Sequence, residues 1–510
     1  MSDQTPRAQE QPQQAPPGPA AHVYDVAVLG GGIVGAAIAR ELSGHDLSVA
    51  LIEARDDVGD GTSKANTAIL HTGFDATPGT LESRLVRRGY ELLSRYAEAT
   101  GIPVERTGAV LVAWTDEEFE ALPGLKEKAE RNGYPHCRLV SADEVYRQVP
   151  DLGDGALGGL TVPDESIICT WTTNLALATD AKRRGTQVLL QHAVTAVRVE
   201  REVTTLTTSG GPVRTRWTVN AAGLGADLID GMFGHSRFTV TPRRGELFVF
   251  DKLARPLVDR IVLPVPSSRG KGVLVSPTIY GNVMLGPTSE DLGDRTATGT
   301  SEEGFDFLLS KGERLMPRLL REEVTASYAG LRAAIDRTDY LIEATPEQRY
   351  VVAGGIRSTG LTAGIAIAEY VGELLAESGL ELPPRTGLPA PPRMPDLGEA
   401  GPRPYQDAGR IADDPEYGTI VCFCERVTAG EIRDACRATL PARNLEGLRR
   451  RTRAQNGRCQ GFFCGAAVER LMATHRAPHG APDSAAPGTA PDTRTPHRPG
   501  TAPRPEEETR

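Results

Sequence analysis

Gly30-Gly-Gly32-Ile-Val-Gly35 lies between a short apolar run, Val23–Leu29, and a stretch of helical composition, Ile33–Leu42. A second apolar run, Leu47–Ile52, follows. Strand, glycine turn, helix and strand in that order predict a βαβ unit. The glycines at 30, 32 and 35 match G-x-G-x-x-G. Gly30 permits a tight turn, Gly32 lets a pyrophosphate approach the backbone, and Gly35 lets helix and strand pack closely. The helix start then offers free N–H groups and a positive dipole end to phosphates. Glu53, 18 residues beyond Gly35, is placed to accept a hydrogen bond from a ribose hydroxyl. An acid at that point disfavours a 2′-phosphate. The glycine pattern alone is a weak signal. With its strand, its helix and its acid at the right distance, it makes a dinucleotide site the expectation over a glycine turn in an unrelated α/β domain.

A chain of 510 residues can bury a large core and form two or three domains. Its net charge of −10 argues against a general nucleic-acid binder. No apolar run approaches the roughly 18 residues of a membrane span, and the polar, Pro/Gln-rich start lacks a signal peptide's pattern, so the expected location is the cytoplasm. Proline marks the boundaries: five in 1–22, eight in 383–404 and eight in 476–510. These read as a disordered leader (1–22), a flexible linker (381–415) and a disordered tail (476–510). Between them lie a body, 23–380, and a small module, 416–475. Further strands are expected at Gln187–Val199, Thr218–Ala221, Leu247–Phe250, Gly272–Ser276 and Tyr350–Ala353. Helices are expected at Leu81–Thr100, Thr173–Arg183 and Leu361–Glu377. The fold class is therefore α/β with a parallel core sheet.

Five of the seven cysteines fall after residue 420. Cys422-Phe-Cys424 and Cys459-Gln-Gly-Phe-Phe-Cys464 form a C-x-C and a C-x4-C pair, 34 residues apart. Four thiolates at this spacing suit a [2Fe–2S] cluster. Structural zinc, which prefers two C-x2-4-C pairs, fits less well, and four free thiols are the plain alternative. Thr428-Ala-Gly-Glu431 reads as a capping box opening one helix; Asn444–Gln455 and Cys464–Met472 read as two more. Cys436, mid-helix, reads as core. Arg449–Arg453 is a basic run whose ordinary reading is a solvated helix face, with docking of an acidic electron acceptor as the alternative.

Thr62-Ser-Lys-Ala-Asn66, leading into Ile69-Leu-His-Thr-Gly73, resembles the D-amino-acid-oxidase-like flavoprotein superfamily. So, in order, do Thr218–Gly223, Arg243-Arg-Gly-Glu246, Gly330-Leu-Arg332 and Gly354–Thr362. The resemblance covers residues 23–378. It implies a Rossmann-type FAD-binding domain (about 23–80, 170–235 and 345–380) interleaved with an α+β substrate domain (about 81–169 and 236–344). It implies FAD contacts from Gly30, Gly32, Gly35, Glu53, Thr62, Ser63, Val194, Ala222, Gly223, Gly355, Arg357, Gly360, Leu361 and Thr362. Residues 416–475 resemble the bacterioferritin-associated-ferredoxin-like [2Fe–2S] domain, including Thr452-Arg453 and Gly457-Arg-Cys-Gln-Gly461. That implies a small, mostly helical domain with Cys422, Cys424, Cys459 and Cys464 as the cluster ligands.

His71 has three readings: a general base for a substrate hydroxyl, a flavin contact that includes covalent attachment, and a core histidine. Arg332 follows a glycine turn, and its guanidinium fork suits a phosphate or carboxylate. Glycerol-3-phosphate dehydrogenases usually carry proline after this arginine; here Ala333 follows. Arg357 either lines the site or is a solvated loop residue, and Arg243, Arg244 and Glu246 are weaker candidates. The joined halves resemble FAD-dependent glycerol-3-phosphate dehydrogenases. They imply oxidation of a small anionic alcohol, sn-glycerol 3-phosphate first, L-2-hydroxyglutarate or another 2-hydroxy acid second, an amine third. Electrons would pass through the cluster to a downstream protein or quinone-linked acceptor. A non-catalytic electron-transfer or scaffold subunit is the rival from another class. On the main reading the purified chain is coloured and carries flavin with equal amounts of iron and acid-labile sulfide; a colourless preparation that stays so after reconstitution would refute it.

Overall fold

The computed structural model describes residues 22–266 and 272–475. The expected tail, and the leader apart from His22, lie outside the described residues. Val23–Leu29 is the centre of the first sheet. It pairs in parallel with Val49–Ile52 on one side and with Gly211–Asn220 on the other. Gln187–Leu189 and Tyr350–Gly354 extend the parallel core at its two edges. Val49–Ile52, Tyr350–Gly354 and the last four residues of Val23–Leu29 are continuously buried, as a sheet covered on both faces requires, while the edge strand Gln187–Leu189 is partly exposed. The helix Ile33–Leu42 packs between Thr170–Arg183 and Gly360–Glu377 on one face. The stretch Gln187–Val199 is not one strand. It breaks into Gln187–Leu189 and Val194–Val199 at a turn where Gln191 takes φ 60°, and the second piece turns antiparallel onto Thr204–Thr208.

Among the described residues the second sheet has nine strands. Its spine is the antiparallel pair Thr241–Phe250 and Val324–Ala334, whose register sets Arg243 opposite Arg332 and Gly245 opposite Gly330. The 20-residue helix Leu81–Thr100 joins the two halves. Thr80 caps it, accepting from the Ser83 N–H, and the Asp339 carboxylate accepts from the Leu81 and Glu82 N–H groups. Gly89 lets this helix cross Gly360–Glu377 at close range, since a Cβ there would lie 2.3 Å from the Thr362 carbonyl oxygen.

The small module is built as its sequence indicates. Thr428 and Glu431 form the capping box of the helix Ala429–Arg437, Asn444 caps Leu445–Thr452, and Gly465–His475 follows the last cysteine pair. Cys436 is in the module's core. The segment expected as a flexible linker is packed instead. Glu399 accepts ion pairs from Lys252 at 2.7 Å, Arg403 at 3.3 Å and Arg426 at 2.6 Å, tying body, segment and module together.

The basic run is neither a solvated face nor a site for an outside acceptor. Arg450, Arg451 and Arg453 are 8, 5 and 3% exposed. Arg451 grips Asp57 through both terminal nitrogens, at 2.7 and 2.8 Å, and Arg450 reaches Asp57 at 2.7 Å and Asp60 at 2.5 Å. Asp56 accepts from the Asn444 amide at 2.6 Å. The module is thus clamped to the loop just after Glu53. Among the described residues no helix is long and apolar enough to cross a membrane.

Burial alone would push the Asp57 carboxyl up, but the Arg451 hydrogen bonds and the charges of Arg451 and Arg450 hold it below the ordinary carboxylate range. A depressed native value means a contribution fully present above the unfolded carboxylate pKa, about 4, and lost as pH falls through the depressed value. Asp57→Asn should lower stability at neutral pH by about 3–5 kcal/mol, since it strands two buried guanidiniums. The denaturant midpoint measures this, and the gap between variant and wild type should shrink below about pH 4.

Candidate active site and cluster site

The first βα turn is shaped by what it cannot accommodate. Gly30 takes φ +105°, and a Cβ on Gly35 would fall 1.9 Å from the Gly30 carbonyl oxygen. The turn therefore folds tightly onto the helix start. Its Gly31 N–H donates to Glu53 Oε2 at 2.6 Å, and Ser63 Oγ accepts from the Ile33 N–H at 2.9 Å. Burial raises the Glu53 carboxyl, against the hydrogen bonds it accepts from the Arg55 and Gly31 N–H groups.

This turn opens into a cavity of about 510 Å³, inside the roughly 300–1,000 Å³ range of cofactor and small-molecule sites. Gly30, Gly32, Glu53, Thr62, Ser63, Val194, Ala222, Gly223, Gly355, Arg357, Gly360 and Leu361 line it. His71 and Arg332 line the same cavity. Gly35 and Thr362 are not on its wall. Gly35 works from behind the turn. Thr362 is fully buried, and its hydroxyl accepts from the His71 N–H at 3.0 Å. Arg243 and Glu246 are also off the wall. Arg243 pairs with Asp291 at 2.6 Å, and Glu246 accepts from the Ser301 N–H and hydroxyl inside the second sheet. Arg244 pairs with Glu290 at 2.5 Å.

His71 is held by a residue that sequence reasoning missed. Its Nδ1 lies 3.2 Å from Oε2 of Glu165, whose other oxygen accepts from the Thr72 N–H and hydroxyl at 2.7 and 2.8 Å. Glu165 is buried in the turn ahead of the strand Ser166–Ile168, which pairs with Ile69–Leu70. An acid beside Nδ1 favours the tautomer that carries its proton on that nitrogen. The one sequence signal was an acidic pair, Asp164-Glu165, ahead of Ser166-Ile-Ile168, with Glu165 93 positions from its partner Thr72.

Arg332 projects from the strand Val324–Ala334 and donates to the Thr288 carbonyl at 2.7 Å. Burial, then the nearby Arg243 charge, brings its guanidinium down to about 10, which leaves it charged at neutral pH. An anion against it would relieve both. Arg357 donates to the Thr338 carbonyl at 2.6 Å and faces Glu82 at 3.4 Å, so it is anchored and not a loose loop residue. The first turn of Gly360–Glu377 closes the cavity with its positive end.

In the module the thiols gather two by two. Cys459 is the neighbouring thiol that acts most on Cys424, and Cys422 the one that acts most on Cys464. Hydrogen bonds from the Phe463, Gly461 and Phe462 N–H groups draw the Cys459 thiol down, while burial and the neighbouring Cys422 push Cys464 up to about 12. Among the described residues no group of three or more His, Cys, Asp or Glu side chains is arranged for a single ion. Four sulfurs in two pairs, one cradled by backbone N–H groups, fit a two-iron cluster with Cys422, Cys424, Cys459 and Cys464 as its donors. Phe423, Phe462 and Phe463, interleaved with these cysteines, are 75, 85 and 79% exposed.

Comparison with known proteins agrees with this geometry. The model of the FAD dependent oxidoreductase family matches residues 25–374, and that of the BFD-like [2Fe-2S] binding domain matches residues 420–474. The glycerol 3-phosphate dehydrogenase of Caloramator mitchellensis is 35% identical over 88% of this chain and 94% of that protein. The mitochondrial L-2-hydroxyglutarate dehydrogenase of Homo sapiens is 25% identical over 63% of this chain and 80% of that protein. Among solved structures, the dithionite-reduced L-alpha-glycerophosphate oxidase from Mycoplasma pneumoniae with FAD bound superposes with a TM-score of 0.70. It is 28% identical and covers 73% of this chain and 99% of that one. The cofactors are FAD and a [2Fe–2S] cluster.

Gly35→Val should weaken FAD retention about tenfold or more, because the added side chain overpacks the turn. The flavin-to-protein ratio after gel filtration measures it.

Proposed function

We propose that this chain, which belongs to the FAD dependent oxidoreductase family, oxidises sn-glycerol 3-phosphate at its secondary hydroxyl to the ketone. The observation that carries this reading is the single cavity in which the dinucleotide cradle, the Glu165-held His71 and the guanidinium of Arg332 meet. Bound there, FAD supplies the two-electron acceptor, and the [2Fe–2S] cluster supplies one-electron exit to a downstream protein or quinone-linked carrier. The chain's own residues do the rest. Arg332 binds the substrate's anionic group and sets which carbon faces the cofactor. His71 Nε2 takes the hydroxyl proton as the carbinol hydrogen leaves with its electron pair. Glu165 fixes the tautomer and steadies the imidazolium that results. The similarity to the dehydrogenase of Caloramator mitchellensis along nearly its full length supports phosphate as the anion. A 2-hydroxy acid is the second reading, since the same fork accepts a carboxylate and the human relative acts, by its name, on L-2-hydroxyglutarate.

The test is anaerobic addition of sn-glycerol 3-phosphate, L-2-hydroxyglutarate and a panel of amines to the holoenzyme. Bleaching of the visible flavin band by glycerol 3-phosphate at the lowest concentration is expected; preferential bleaching by either other class would displace it. His71→Asn should slow the bleaching about 10²–10⁴-fold. Arg332→Leu should cost about 10–100-fold in kcat/KM, chiefly through KM, from the loss of charge-assisted hydrogen bonds.

A further inference from the structure

Between the segment that walls the cavity and the cluster module runs a series of contacts through Trp171, Tyr280 and Arg453. Trp171, at the start of the helix Thr170–Arg183, donates its indole N–H to the Lys64 carbonyl at 3.0 Å. Lys64 belongs to the segment whose Ser63, Ala65 and Asn66 form the cavity wall, as does Trp171's neighbour Thr170. The indole stacks on Tyr280, ring centres 4.9 Å apart and planes 26° from parallel. Arg453 also lies against Tyr280, its guanidinium 4.1 Å from the ring centre. Arg453 in turn bonds Glu425 at 2.7 Å, next in sequence to Cys424. A Cβ on Gly457 would touch both Cys424 and Glu425, which shows how tightly this end is closed. Tyr280, Arg453 and Glu425 are buried.

The oxidation described above yields two electrons at one site, and the cluster accepts one at a time. The transfer must therefore happen twice per turnover, each electron crossing from the cavity to the cluster and on to an outside one-electron carrier, while the hydrogen that came with the substrate's electron pair leaves the cavity as a proton. Electron transfer through protein falls steeply with distance and is faster across close-packed atoms than across gaps. The arginine clamp on Asp57 and Asp60 fixes the separation, and the Trp171–Tyr280 stack fills it. A solvated, mobile seam would do neither.

We propose that the Trp171–Tyr280 stack, capped by Arg453, is the bridge through which electrons pass from the flavin site to the cluster. The proposal rests on the reading that flavin feeds the cluster, and it assigns these three side chains a positioning role and not a catalytic one.

The test separates the two electron acceptors in time. Full-length holoenzyme is mixed anaerobically with sn-glycerol 3-phosphate, with flavin bleaching followed by absorbance and reduced cluster by freeze-quench paramagnetic resonance. In Trp171→Leu and Tyr280→Leu, bleaching should proceed at the wild-type rate while cluster reduction slows by an order of magnitude or more, at unchanged iron and sulfide content. Tyr280→Phe keeps the ring and loses only the hydroxyl that meets Cys169 Sγ at 3.2 Å, so cluster reduction at the wild-type rate is expected. Wild-type cluster reduction in the leucine variants overturns the bridge. So does slowing in Tyr280→Phe, which decides the matter even if the leucine variants fail to fold. If glycerol 3-phosphate bleaches nothing, the substrate assignment fails by itself. The bridge is then tested with flavin photoreduced in the presence of EDTA.

Discussion

A carboxylate withdrawn from water is unfavourable unless its charge is met at close range. Asp57 is met by two guanidiniums that are buried as well, so none of the three groups is tolerable without the others. This mutual need fixes the cluster module on the body. It also explains why the pairing uses arginine: a planar fork can offer two parallel hydrogen bonds to one carboxylate and still reach the Leu440 and Gly447 carbonyls. The cavity and the cysteine module are held together by an ion cluster none of whose members lines the cavity.

The same logic orders the active site. The loop from Glu53 to Asp60 faces the dinucleotide turn with Glu53 and the module with Asp57 and Asp60. His71 depends on Glu165 in one direction and on Thr362 in the other, so its position is set by elements from three distant stretches of chain. Gly89 permits the helix crossing that brings Thr362 within reach. His71, the cofactor cradle and the clamped module are therefore each positioned by residues from distant stretches of the chain.

Much of this was legible in the residues. The βαβ unit, the helix Leu81–Thr100, the capping box at Thr428 and the cysteine spacing all rest on local patterns, and the structure keeps them. Most of the expected cofactor contacts fall on one cavity because their motifs flank strand ends of a single parallel sheet. What local pattern could not supply was partnership. Arg450 and Arg451 look like a solvated stripe until acids nearly 400 positions away are brought beside them. Glu165 looks like a surface acid until the pairing of Ile69–Leu70 with Ser166–Ile168 turns it inward. The proline-rich stretch after residue 380 looked slack because composition records disorder propensity and not the three cations waiting for Glu399.

The span of the arginine clamp has a consequence for how the molecule is made. Asp57 and Arg451 are 394 positions apart. Synthesis at roughly 5–20 residues per second leaves Asp57 without its partner for on the order of 20–80 s. Through that interval the nascent flavin domain must hold its acidic loop in water. The clamp can close only after Arg450 and Arg451 have been made, so the module is seated on a body that is already synthesised.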